Sequence, residues 1–168
     1  MNRITRTCAG LLAVALFATL APTSLATAAG RRNCWRYRHR ERAFARRIDV
    51  ARGTRGLAPL KLDKHLSKVA RRHTRDMKNR NYLHHTPSRA LRRRVTRWVV
   101  LGENVGMGAT VDSLHRAFMG SAGHRANVLH RAYRYVGVGA TRGHGRLWVT
   151  VIFESARNPG TRLPMPPC

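Results

Sequence analysis

The sequence predicts an α+β fold that contains an antiparallel sheet. Segments with helical periodicity precede residue 130, whereas the segments that alternate as strands do lie in the last third of the chain. The two strand segments flank Arg142-Gly143-His144-Gly145, a turn that would pair them antiparallel. Helices followed by paired strands indicate α+β layering, because a parallel sheet would need alternating strand–helix–strand units.

Two amphipathic helices are predicted in the first half. Arg36 to Gly53 is strongly basic but has apolar residues at helical spacing, Phe44, Ile48 and Ala51. Asp63 is a suitable N-cap for a second helix. The apolar face of that helix recurs at three- and four-residue intervals and comprises Leu66, Val69, Ala70, His73 and Met77. We expect His73 to be a hydrogen-bonded core histidine rather than a ligand.

The middle of the chain contains two adjacent histidines, a basic segment and a glycine-rich stretch. Residues 79–87 leave the second helix and carry His84 and His85, of which His84 is expected to be exposed. Residues 89–97 form a basic segment. The glycines at positions 102, 106 and 108 predict a loop with a short extended piece at Val105.

Two further helices and two strands complete the prediction. Thr110 or Asp112 begins a third helix, and Ser121 caps a short fourth helix that reaches Leu129. The side chains expected to face inward from the third helix are Leu114, Ala117 and Phe118. The strands are predicted at Tyr133 to Ala140 and at Leu147 to Phe153.

The N-terminal segment is predicted to be a cleaved signal peptide spanning residues 1–29. Arg3 and Arg6 supply its positive end, Leu11 to Leu20 is an apolar stretch too short to span a bilayer, and Ala26-Thr27-Ala28 fits the small-residue cleavage rule. We therefore expect bacterial export to the extracellular side, with no transmembrane segment after cleavage. A basic segment (residues 30–38), one domain (residues 39–156) and a proline-rich tail (residues 157–168) would follow.

The charge of the chain is extreme. Lysine and arginine number 33 against 7 acidic residues, a net charge of +26. Arg3 and Arg6 leave with the predicted signal peptide, so the mature charge is 31 − 7, or +24. Such charge predicts anionic partners: envelope polymers, anionic lipids or, without specificity, nucleic acid. The alternative is compositional bias, with arginine covering a solvated surface.

Two cysteines remain in the predicted mature chain, Cys34 and Cys168, near its two ends. An exported protein meets an oxidising environment, so we expect a Cys34–Cys168 disulfide. Two free thiols are the alternative. A cysteine nucleophile is not expected, and the sequence lacks the His-Glu-x-x-His, Gly-x-Ser-x-Gly and Cys-x-x-Cys motifs.

Three polar residues form the candidate site: His85, Glu103 and His124, called here the predicted trio. The chain is poor in acids, and Glu103 follows Gly102 in an apolar stretch, so this carboxylate is expected to have a specific role. Two imidazoles and a carboxylate suit Zn²⁺, or acid–base catalysis through a bound water. The alternative is a hydrogen-bonded network in which Glu103 and the two histidines brace the loops against the sheet.

The chain resembles the CAP superfamily (SCP-like domains of cysteine-rich secretory, antigen 5 and pathogenesis-related proteins), in its short bacterial secreted form. The motifs that carry the resemblance run in the family's order from about Phe44 to Glu154. They are Arg52-x-x-x-Gly56-Leu57-x-Pro59-Leu60, Leu66-x-x-x-Ala70, His85-Thr86, Gly102-Glu103-Asn104, Ser121-x-Gly123-His124-Arg125-x-Asn127-x-Leu129, Gly137-Val138-Gly139 and Trp148-Val149-Thr150-x-x-Phe153. The resemblance implies an α-β-α sandwich, with a small central antiparallel sheet between helical layers.

The resemblance also implies a site and a function. The family often has a cleft with two histidines and two glutamates, which His85, Glu103 and His124 match in part; Phe118-Met119-Gly120 stands where the second glutamate is usual. We therefore expect a secreted protein acting at or outside the envelope. It would bind anionic or lipidic ligands through its basic surface and this cleft, with weak Zn²⁺ binding there. The alternatives are a zinc-dependent hydrolase that uses the trio and a non-specific nucleic-acid-binding protein.

Overall fold

The computed structural model of the chain describes residues 35–156 and 160–163. The predicted signal peptide, both cysteines of the predicted disulfide and most of the proline-rich tail lie outside these residues. Within them, no helix combines the length and hydrophobicity needed to cross a bilayer.

Five helices and six strands make up the described chain. The helices are α1 (His39–Gly53), α2 (Lys64–Arg80), α3 (Ser88–Arg94), α4 (Val111–Gly120) and α5 (Ala122–Val128). The strands are β1 (Lys61–Leu62), β2 (Val95–Thr96), β3 (Leu101–Gly108), β4 (Tyr135–Gly143), β5 (Arg146–Glu154) and β6 (Gly160–Thr161).

The main sheet has four strands in the order β1-β4-β5-β3. β5 pairs antiparallel with both β3 and β4, as the alternating pattern predicts. β1 pairs parallel with β4, so the sheet is mixed rather than wholly antiparallel. β2 and β6 form a separate antiparallel pair.

Apolar side chains cover both faces of the sheet, which gives the predicted α-β-α sandwich. On one face, Phe44 and Ile48 of α1 and Phe118 of α4 pack with Val138 and Val151. On the other face, α2 contributes Leu66, Val69 and Ala70, which pack with Ile152. The central strand β5 is buried at every position after Arg146, as expected for a strand covered on both faces.

The close packing of α2 on the sheet depends on glycine. A Cβ at Gly137 would overlap the backbone of Leu66 and Ser67, and a Cβ at Gly139 would lie 2.5 Å from the backbone of Ala70. Val136, Val138 and Ala140 alternate with these glycines and point into the opposite core. The alternation that predicts the strand therefore also determines which helix lies against which face.

Polar contacts join the helices. Arg52 is only 1% exposed, and its guanidinium donates hydrogen bonds to the carbonyls of Ala58 (2.8 Å), Val128 (2.9 Å) and His130 (3.0 Å). Arg71 of α2 donates to both carboxylate oxygens of the buried Glu41 of α1, at 2.5 Å each. Buried charges of this kind are stable only when paired or hydrogen-bonded.

Two expectations for individual elements were wrong. The glycine-rich stretch is the eight-residue strand β3 rather than a loop, because pairing with β5 satisfies its backbone groups. Part of the basic segment, for which no secondary structure was predicted, forms α3, which buries Leu91. Ala117 is exposed: the inward positions of α4 are Leu114 and Phe118, four residues apart.

Candidate functional site

Glu103 on β3 holds the loop that follows α2. Its Oε1 accepts a hydrogen bond from the backbone N–H of Thr86 (2.8 Å) and from Nδ1 of His85 (3.1 Å). The Glu103 side chain is 5% exposed, whereas the imidazole of His85 is 60% exposed. Glu103 thus lies at the base of the site, and His85 lies at its surface.

The second oxygen of this carboxylate has no hydrogen-bond partner within the described residues. Glu103 Oε2 is buried, and so is the neighbouring hydroxyl of Thr86, which is likewise unpartnered there. A buried acceptor without a donor is costly, so this position suits a donor or a cation brought by a ligand.

His124 faces the same region from α5. Its ring stacks on Phe118, with centroids 4.6 Å apart, and its backbone carbonyl accepts a hydrogen bond from Asn104 (2.9 Å). Burial lowers the pKa of His124, and the charge of His85 lowers it further. The hydrogen bond from Asn104 places the backbone of His124 beside the strand that carries Glu103, and the direct side-chain contact within the trio is the one between His85 and Glu103.

An amide network holds this end of the sheet. Asn127 donates to Asn104 Oδ1 (2.8 Å), and Tyr133 donates its hydroxyl to Asn127 Oδ1 (3.4 Å). Asn104 is fully buried. Hydrogen bonds therefore connect the Gly-Glu-Asn motif of β3 to the His-Arg-Ala-Asn motif of α5, two of the motifs on which the family resemblance rests.

A second polar group, which we call the His–Asp–His cluster, consists of His73, Asp76 and His84. Sequence reasoning missed it. His73 is 3% exposed, and its Nε2 donates to the carbonyl of His84 (2.8 Å), which confirms it as a hydrogen-bonded core histidine. His84 is not freely exposed as expected: its ring stacks on Tyr82 and lies edge-on to His73. The three-residue spacing of His73 and Asp76 on a predicted helix could have indicated that the two side chains are neighbours.

The ionisation of this cluster follows from its surroundings. Burial is the largest influence on His73 and lowers its pKa, against the opposing effects of the His84 carbonyl and Glu103. Burial would raise the pKa of Asp76, but the hydrogen bond and charge of Arg80, helped by His84 and His73, hold it below its usual value. The cluster therefore combines an ionised carboxylate with a histidine that favours its neutral form.

The cluster opens into a cleft of about 650 Å³, called here the arginine cleft. Four arginines line it: Arg72, Arg75, Arg80 and Arg94. Asp76 is the only carboxylate among its lining residues. The cleft is thus concave and strongly positive, and Glu103 lies close enough to influence both His73 and Arg94 electrostatically.

The donor chemistry of the trio fits a metal ion, but its spacing does not form a closed set of ligands. Within residues 35–156 and 160–163, the group of three whose ligand atoms all lie within 4.8 Å of one another is the His–Asp–His cluster. In the trio, Glu103 Oε1 is occupied by Thr86 and His85, and the His124 ring rests on Phe118. The contacts of Glu103 Oε1 with His85 and Thr86 match part of the predicted bracing network, which also included His124.

Comparison with known proteins agrees with the fold and the motifs. The model of the CAP family, described as the cysteine-rich secretory protein family, matches residues 45–153. The uncharacterised protein YkwD of Bacillus subtilis (strain 168) is 32% identical over 115 residues, which are 64% of this chain and 44% of YkwD. The chain therefore spans less than half the length of that relative.

Solved structures show the same architecture. An extracellular protein with an SCP domain from Bacillus anthracis str. Ames superimposes with a TM-score of 0.60 at 23% identity, over 70% of this chain and 40% of that protein. The crystal structure of NaASP2 with Zn²⁺ superimposes with a TM-score of 0.58 at 12% identity, over 73% of this chain and 84% of that one. At these identities the similarity concerns the fold.

Proposed function

This chain belongs to the CAP family of cysteine-rich secretory proteins, and from that membership we propose that it is exported and binds anionic or lipidic ligands at or outside the cell envelope. The observation that carries the proposal is the arginine cleft. Four arginines line one concave surface, and Asp76 is the only carboxylate among its lining residues. Guanidinium groups bind phosphate and carboxylate through paired hydrogen bonds, and a cleft concentrates their field.

Exposed apolar side chains on the surface support a lipidic ligand. Tyr82 is 65% exposed and stacks on His84 of the arginine cleft. On the segment that leads into β3, Trp98 is 36% exposed and Val99 72% exposed, and the guanidinium of Arg92 lies 5.3 Å from the Trp98 ring centroid. Aromatic and cationic side chains together suit the boundary between an anionic headgroup and an acyl chain.

The test separates the cleft from the overall charge. We would measure co-sedimentation with vesicles of phosphatidylglycerol and of phosphatidylcholine for the wild type, for Arg72→Gln/Arg75→Gln, and for the matched surface pair Arg116→Gln/Arg131→Gln. Both double variants remove the same charge, but only the first alters the cleft. We expect the cleft variant to bind the anionic vesicles more weakly than the surface variant.

Equal losses in the two double variants would show that diffuse charge, rather than the cleft, causes the binding. Salt provides a second criterion, because attraction between exposed charges is screened over about 8–10 Å at moderate ionic strength. Retention that persists at high salt only while the cleft arginines are intact would indicate recognition by a shaped site.

A second candidate is weak Zn²⁺ binding at the predicted trio, with hydrolysis as its extreme form. The buried, unpartnered Glu103 Oε2 favours it, and NaASP2, a protein of the same fold, has been crystallised with Zn²⁺. Here His85, Glu103 and His124 would hold the ion, which would supply Lewis-acid activation of a bound water. His85→Asn and His124→Asn should each weaken Zn²⁺ binding in titration calorimetry; unchanged binding in both would exclude the trio as the metal site.

A further inference from the structure

We propose that His73, Asp76 and His84 bind a divalent transition-metal ion, with Zn²⁺ as the preferred metal, at a site distinct from the predicted trio. One ligand atom from each of the three side chains lies within 4.8 Å of the other two. Two of the residues, His73 and Asp76, are held by α2, and the third enters from the loop after it. The inference does not require the anionic ligand proposed above, because metal binding is measured on the protein alone.

Backbone carbonyls determine the tautomers of both imidazoles. His73 Nε2 lies 2.8 Å from the carbonyl of His84, and His84 Nδ1 lies 3.2 Å from the carbonyl of Tyr82. A carbonyl can only accept a hydrogen bond, so each of these nitrogens carries a proton. In the neutral rings the lone pairs are then on His73 Nδ1 and His84 Nε2. Metal-binding histidines typically donate their other N–H to a carbonyl or carboxylate in this way.

The short distance between His84 and Asp76 is favourable when a positively charged group, either a proton or a metal ion, lies between the two side chains. His84 Nε2, the nitrogen that bears the lone pair in the neutral ring, is 3.3 Å from Asp76 Oδ2. Two electron-pair donors at this distance repel each other unless a proton or a metal ion lies between them. Two ligands of a tetrahedral zinc ion, each at about 2.0–2.1 Å from the metal, are about 3.4 Å apart. The observed distance therefore matches the spacing of two zinc ligands, and it also matches a hydrogen bond from a protonated His84.

The remaining oxygen of the carboxylate is also held. Asp76 Oδ1 accepts a hydrogen bond from Arg80 Nε at 3.0 Å, which leaves Oδ2 for a ligand. Asp76 and His84 therefore each have one atom held by a neighbour and a second atom that faces the other residue. This division of atoms between a metal and its supporting hydrogen bonds is usual in protein metal sites.

The surroundings select the type of metal. Two imidazoles with one carboxylate suit Zn²⁺, Ni²⁺ or Cu²⁺, whereas Mg²⁺ and Ca²⁺ need mostly oxygen ligands. The four arginines of the cleft oppose weakly bound cations, so the imidazole nitrogens must supply most of the affinity. The same arginines favour a water or an anion in the open coordination position on the cleft side.

The experiment is titration calorimetry of the purified protein with Zn²⁺ and with Mg²⁺, together with the visible spectrum of the Co²⁺ complex. The test variants are His84→Asn and Asp76→Asn. Their matched controls are His39→Asn, an exposed histidine on α1, and Asp112→Asn, an acid that pairs with Arg47 on the surface. Circular dichroism verifies that each variant is folded, and His73 is left intact because it is buried in the core.

We expect the wild type to bind Zn²⁺ but not Mg²⁺, and both test variants to bind Zn²⁺ at least about tenfold more weakly. The controls should bind as the wild type does. No Zn²⁺ binding by the wild type, or equal binding by wild type and His84→Asn, would overturn the proposal. If only His85→Asn and His124→Asn weaken binding, the metal site is the trio and this inference is wrong. His84→Asn and Asp76→Asn each test the proposed site independently, so the experiment remains decisive if one of the two variants does not fold.

Discussion

The carboxylate of Glu103 illustrates how one side chain can serve both stability and binding. Oε1 ties the loop after α2 to the sheet through Thr86 and His85, whereas Oε2 is buried without a partner among the described residues. The motif Gly-Glu-Asn identified this residue from the sequence. Its division between a bracing oxygen and an available one depends on a loop 17 positions away in the chain, and no local pattern contains that information.

Glu103→Ala should destabilise the protein by about 2–3 kcal/mol, because it leaves the Thr86 N–H without its charged acceptor. Glu103→Gln should cost less, since an amide oxygen can still accept that bond. Urea denaturation measures both values. Asp112→Ala, which removes an exposed ion pair with Arg47, is the control and should cost at most about 1 kcal/mol. Equal effects of the three substitutions would argue against the bracing role.

His115 should make stability depend on pH. Burial, followed by the charge of Arg47, lowers its pKa, whereas Asp112 has the opposite effect. The folded protein then holds fewer protons than the unfolded chain, so the free energy of unfolding falls as the pH drops below about 6.5. Denaturation at about pH 7.5 and about pH 5.5 should show a smaller difference for His115→Gln than for the wild type. The exposed His39→Gln should retain the full difference, and an unchanged difference in His115→Gln would refute the assignment.

At the scale of elements, the helices were more predictable than the strands. Asp63 caps α2 through Leu66 N (2.8 Å), and the five predicted face residues of that helix are all buried. The periodicity that identifies a helix lies within one continuous segment of the sequence. β3 was mistaken for a loop because its glycines resemble turn residues, and its identity as a strand comes from pairing with β5. The parallel contact of β1 with β4 also joins distant segments.

The contact between α2 and β4 offers a sharp test at this scale. Gly139→Ala would place a Cβ 2.5 Å from the backbone of Ala70, so the helix has to move away from the sheet. We expect a loss of about 1–3 kcal/mol or more in unfolding free energy. Gly123→Ala on α5 is the control, because nothing lies within 4 Å of its added Cβ; it should be neutral or stabilising by up to about 1 kcal/mol. A tolerated Gly139→Ala would mean that α2 packs less closely than described.

For the whole molecule, the predicted disulfide between Cys34 and Cys168 remains open, because both residues lie outside the described part of the chain. In natively secreted protein digested with trypsin without reduction, we expect the peptides 33–36 and 163–168 to be linked. The chain-entropy model assigns a loop of this length roughly 4–5 kcal/mol, so reduction should also lower the melting temperature. Recovery of both peptides with alkylated cysteines would contradict the prediction.

The sequence by itself determined the family, the longer amphipathic helices and the α+β layering. These features depend on composition, short motifs and local periodicity, all of which are properties of nearby residues in the sequence. Only the tertiary structure decided that the sheet is mixed, that β3 is a strand, and that His73, Asp76 and His84 meet in an arginine-lined cleft. Strand pairing and cleft formation bring together residues from different elements, and such contacts arise from packing the whole chain rather than from the neighbours of any one residue.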